Sequence, residues 1–147
     1  MRVLWVCNRC LPVVAAEIKM DAGNKEGWLA GLSERILEEK NEGLELGVCF
    51  PASKDMAQWQ GKFALSAYAF YEDVTKPEVY QEHLEVRMRE IVDDFKPDLV
   101  HIFGTEFPHT LAMVKAFNNP ERTLIGIQGI CTLYADAYLT GIPEKVA

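Results

Sequence analysis

Short, almost unbroken apolar runs alternate along the chain with segments whose apolar residues recur every three or four positions, and this alternation narrows the fold more than any other feature. The runs at 2–7 (RVLWVC), 44–50 (LELGVCF), 62–71 (KFALSAYAFY), 98–103 (DLVHIF) and 124–128 (LIGIQ) read as strands. Continuous rather than alternating hydrophobicity is the mark of strands covered on both faces. Between them, Trp28, Leu29, Leu32, Ile36 and Leu37 place a helix over 27–41, and Pro77 opens another. In that helix Tyr80, Leu84, Met88, Ile91 and Phe95 form one stripe opposite Glu78, Glu82, Arg89 and Asp93. A short helix is expected at 107–117, another at 13–20 inside a long loop, and a last one starting at 135–139. Pro51 is expected to end the second strand. Strands alternating with helices predict an α/β fold, a mainly parallel sheet with helices on both faces.

A chain of 147 residues predicts one domain, 1–147. Fifteen Lys and Arg against twenty-two Asp and Glu give a net charge of −7, which argues against a nucleic-acid partner. No apolar run approaches the ~20 residues of a membrane span, and the first residues read as a strand rather than a leader, so the expected location is the cytoplasm. Cys7 and Cys10 form a C-x-x-C without the second pair a zinc ribbon needs, so no metal is expected. They suit either a thioredoxin-like pair or two small buried hydrophobes, and the missing β-α unit before them favours burial.

In open α/β sheets ligands gather at the carboxyl ends of the strands, where the strand order reverses. The first strand ends in Asn8, Arg9 and Cys10. Gly27, at a helix start, either admits a phosphate or carboxylate to free N–H groups or simply begins the helix. The strand at 98–103 runs into Gly104-Thr105-Glu106-Phe107-Pro108-His109. Glu106 and His109, three apart, suit a shared helical face for a sugar hydroxyl or a proton transfer; alternatively Thr105 or Glu106 caps the helix. His101, inside an apolar strand, is expected to be a hydrogen-bonded interior histidine. Gln128 and Gly129 end the fifth strand, and an amide there binds hydroxyls as donor and acceptor without titrating.

The segments MRVLWVCNRCLP, EGWLAGLS, PDLVHIFGTEFPHTLAM and LIGIQGICTLYA together resemble the N-terminal domain of family 4 glycosyltransferases, of the type acting on bacterial surface polysaccharides. The resemblance covers most of the chain except about 52–74. It implies a Rossmann-like three-layer α/β/α sandwich, the N-terminal half of a GT-B architecture whose C-terminal donor-binding domain is absent from this chain. The implied activity is retaining transfer of a sugar from a nucleotide-sugar donor to a glycan or lipid-linked acceptor hydroxyl, without a cofactor. It puts the family's glycine-rich turn on Glu26 and Gly27, with the Glu26 charge opposing a phosphate. Gln128 takes the place of a family histidine, as a sugar-binding group beside Gly129. Gly104, Thr105, Glu106 and His109 fall on the acceptor-side loop. Partners implied are the donor, the acceptor and the chain's own donor domain, at the inner face of the membrane; no basic amphipathic helix supports membrane contact. Glu26/Glu34, Glu34/Glu42 and Glu82/Glu90 share the donor domain's Glu-x7-Glu spacing by chance. The fragment alone is expected to be inactive. The alternative class is a non-catalytic ligand- or protein-binding module.

Overall fold

A computed structural model describes residues 1–20, 27–39 and 43–127; Glu26, Gln128, Gly129, Cys131 and the helix expected at 135–139 lie outside the described residues. Six strands are described: β1 (Arg2–Val6), β2 (Glu45–Ala52), β3 (Gln60–Lys62), β4 (Ser66–Tyr71), β5 (Leu99–Phe103) and β6 (Thr123–Gly126). The helices are α1 (Pro12–Ile18), α2 (Gly27–Glu38), α3 (Glu82–Phe95) and α4 (Pro108–Phe117), with short 3-10 turns at Lys54–Met56 and Pro120–Arg122. The strands form one sheet in the order β3-β4-β2-β1-β5-β6. Every pairing is parallel except β3 with β4. The protein is therefore an α/β fold on a mostly parallel sheet. Chain progress runs outward from β1 through β2 and β4, then returns to β5 and β6 on the other side. The order reverses between β1 and β5.

Successive strand residues point to opposite faces, and the core divides accordingly. Leu4 and Val6 of β1, Tyr68 and Phe70 of β4, and Val100 and Ile102 of β5 pack with Leu84, Met88, Ile91 and Phe95 of α3 and Ala112, Met113 and Ala116 of α4. Trp5, Val48, Phe50, Ala67, Ala69 and Phe103 pack with Val14 and Ala15 of α1 and Leu29 of α2. Each large apolar side chain so buried contributes about 1.5–3 kcal/mol. The expected α3 stripe is thus the face that meets the sheet. Gly47 fixes the fit at one point, since a Cβ there would stand 2.7 Å from the Phe95 ring, over which the Arg2 guanidinium stacks at 4.6 Å.

Three boundaries differ from those the sequence suggests. The helix expected from Pro77 starts at Glu82. Gln81 is engaged elsewhere: its side chain accepts the Asp73 N–H at 2.9 Å and donates to the Asp73 carbonyl at 3.1 Å. Asp73 in turn accepts the Thr75 N–H and hydroxyl, so residues 73–81 form a pinned turn instead of a first helical turn. The run at 62–71 is two strands, because the chain reverses at Phe63, whose N–H donates to the Leu65 carbonyl at 2.9 Å. Polar Gln60-Gly61-Lys62 makes the antiparallel edge. Pro51 stands inside β2 rather than ending it. The Cys7 backbone N–H donates to the Cys49 carbonyl, so Pro51, two residues on, faces the β1 side beyond the last paired β1 residue, where no donor is needed.

Candidate functional site

The carboxyl ends of β1 and β5 lie side by side where the strand order reverses. Asn8 follows β1, and Gly104 follows β5 with φ +99, a conformation that favours glycine. The space a Cβ would take at Gly104 is filled: it would overlap the Glu106 carboxylate and stand 2.9 Å from the Asn8 amide nitrogen. Thr105 and Glu106 are exposed on the loop, and α4 begins two residues later.

Beneath this loop a hydrogen-bonded series runs from the interior to the surface. Glu72, just past β4, is buried together with His109 of α4, each with 0% side-chain exposure. One Glu72 oxygen accepts the His109 Nδ1–H at 2.8 Å and the other accepts the His109 backbone N–H at 2.9 Å. The His109 ring lies between Phe70 and Phe107, with centroids at 5.1 and 5.8 Å. Its Nε2 lies within hydrogen-bond distance of Asn8 Oδ1, at 3.1 Å. The Asn8 amide donates onward to Glu106 at 3.5 Å, the outer limit of a hydrogen bond. The Thr110 hydroxyl closes the loop by donating to the Gly104 carbonyl at 3.1 Å. Asn8, Arg9, Cys10, Pro51, Glu72 and Val74 are among the residues lining a cavity of about 330 Å³ at the same edge.

Gly104, Glu106 and His109 therefore come together, although not as a shared helical face. Glu106 precedes α4, and it meets His109 only through Asn8. The helix-cap alternative is also replaced. Phe107 occupies the N-cap without a side-chain cap, and the first-turn N–H of His109 goes to Glu72. Gly27 opens α2 with open space around it, and the neighbouring Trp28 packs on Phe103 with centroids at 5.4 Å, which brings this helix start to the same edge. His101 is flanked by the rings of Trp5 and Phe103 rather than by a hydrogen-bond partner among the described residues, and burial lowers its pKa. Cys7, Cys10 and Cys49 are buried. Burial pushes the Cys10 thiol up to about 12 and the Cys49 thiol up as well, the opposite of an activated thiolate.

Glu72 escaped the sequence reading, because a polar residue after an apolar strand carries no motif and its partner lies 37 residues away. Asn8 stood out only by its place at a strand end. Among the described residues no group of three or more His, Cys, Asp and Glu is arranged to hold a metal ion, and no helix is long and apolar enough to cross a membrane. Comparison with protein-family models, curated proteins and solved structures yields no match.

Proposed function

We propose that this chain is the acceptor-side half of a retaining, family 4 type glycosyltransferase, with the sheet and helices forming a Rossmann-like three-layer α/β/α sandwich. The observation that carries the reading is the meeting of Asn8, Glu106 and Gly104 at the strand-order reversal, beside an open cavity. A sugar hydroxyl needs both an acceptor for its proton and a donor for its oxygen. The Glu106 carboxylate is the first and the Asn8 amide the second. A cavity of about 330 Å³ falls at the small end of the range for ligand sites. The two core clusters on opposite sheet faces support the layered description. On this reading the nucleotide-sugar and its diphosphate belong to a second domain. The acceptor is a glycan or lipid-linked sugar reached from the cytoplasmic side of the membrane, and neither metal nor cofactor takes part.

Two measurements test the reading. Glu106→Ala is expected to weaken binding of acceptor saccharides about tenfold or more, since a hydrogen bond to a charged group contributes roughly 1.5–3 kcal/mol. The isolated chain, incubated with a panel of nucleotide-sugars and acceptors, is expected to give no sustained transfer. Unchanged saccharide affinity in Glu106→Ala contradicts the assignment of the site. Sustained transfer contradicts the assignment of half an enzyme. Saccharide binding that supplies no reaction when the donor domain is added points instead to a non-catalytic binding module.

A further inference from the structure

We infer that Glu72 is a positioning residue, which fixes the direction of the Asn8 amide through His109 without itself meeting a ligand. Glu72 stands in the stretch 52–74, outside the segments that carry the family resemblance. Both of its oxygens are spent on one residue, the ring and the backbone N–H of His109. Ring and helix start are thereby held as one body. The other ring nitrogen then faces Asn8 Oδ1, which turns the Asn8 NH2 toward Glu106 and the open side of the loop. Without that anchor the half-buried Asn8 keeps only its 3.5 Å contact with Glu106. Glu72 thus holds the donor end of Asn8 toward the open side of the loop. The functional consequence rests on the proposed acceptor site, but the positioning itself does not.

The test is free of ligand for that reason. In the wild-type chain the Asn8 side-chain amide signals are expected to lie away from those of a solvated asparagine and to show a rigid heteronuclear NOE. Glu72→Ala is expected to move them to solvated positions and to lose the NOE, with the amides of Met88 and Val100 unmoved. Glu72→Gln keeps an oxygen for the backbone N–H and a polar group within reach of Nδ1, so the ring stays anchored and this variant is expected to restore the wild-type signals. Should Glu72→Ala not fold, the double variant Glu72→Gln/His109→Phe keeps an aromatic ring in place and removes both nitrogens. It is expected to release Asn8 in the same way. Asn8 signals that stay rigid in Glu72→Ala or in the double variant overturn the proposal, as does failure of Glu72→Gln to restore them. A failed acceptor-binding assay with these signals behaving as expected overturns only the functional reading.

Discussion

At the amino end of the sheet Arg2 meets Glu45 at 3.1 Å, Lys62 meets the same carboxylate at 3.7 Å, and the Tyr68 hydroxyl donates to Asp94 at 2.6 Å. Arg2 and Glu45 are 35% and 41% exposed, so water competes for each of these charges. At the carboxyl end the Glu72–His109 pair is wholly buried, and the series it anchors ends in groups that reach the surface with bonding capacity unspent. The amino end also holds the larger cavity, about 430 Å³ against about 330 Å³. Volume does not choose the site. At the amino end opposite charges pair near the surface, whereas at the carboxyl end a buried pair aims an amide and a carboxylate outward.

The most severe way to break the contrast is chemical. If the carboxyl edge works by hydrogen bonding, Cys10 is inert there. Its thiol, pushed from the ordinary 9.0 up to about 12, carries about a thousandfold less thiolate than an exposed cysteine below pH 9. Site-resolved mass spectrometry after alkylation at mildly alkaline pH should find Cys10 unmodified until the chain unfolds. Rapid modification of the native chain revives the thiol-redox reading. The sign for stability follows from the same raised value. The folded chain holds the thiol proton more tightly, so this contribution is present below pH 9 and is lost as pH climbs toward 12.

Removing the anchor is the next test. His109→Ala leaves the buried Glu72 with the backbone N–H but without the ring, and is expected to cost about 3–5 kcal/mol in urea unfolding. A loss near that of an exposed pair contradicts the burial argument. Gly104→Ala is expected to cost about 1–3 kcal/mol, from its positive φ and from the Glu106 carboxylate already filling the Cβ position. Gly43, with φ +98 but open space around it, isolates the backbone part. Gly43→Ala should therefore cost less than Gly104→Ala, and equal losses remove the steric half of the account. The smallest effect belongs to the amino end, where Glu45→Gln should change stability by less than about 1 kcal/mol. A larger loss erases the distinction between the two ends.

Sequence patterning reached the fold through features that are local. Buried strands such as β1 and β5 are legible because burial on both faces demands continuous apolarity, and the α3 stripe because one face alone meets the sheet. The α3 start was misjudged because Pro77 is a good first-turn residue, and nothing local tells that Gln81 is engaged by Asp73. The site was legible in outline, since Gly104, Glu106 and His109 follow a strand in the chain. Its wiring was not. Glu72 reaches His109 across 37 residues and Asn8 reaches it across 101, and no spacing rule encodes contacts made by the sheet order.

The central claim is that a hydroxylated ligand binds at the carboxyl edge and not at the larger amino-end cavity. Amide chemical-shift mapping with a panel of saccharides at millimolar concentration tests it directly. The account predicts shifts concentrated at Asn8, Arg9 and Gly104 to Glu106, reduced in Glu106→Ala. Shifts at Arg2, Gly61, Lys62 and Ser66, or none anywhere, would contradict it.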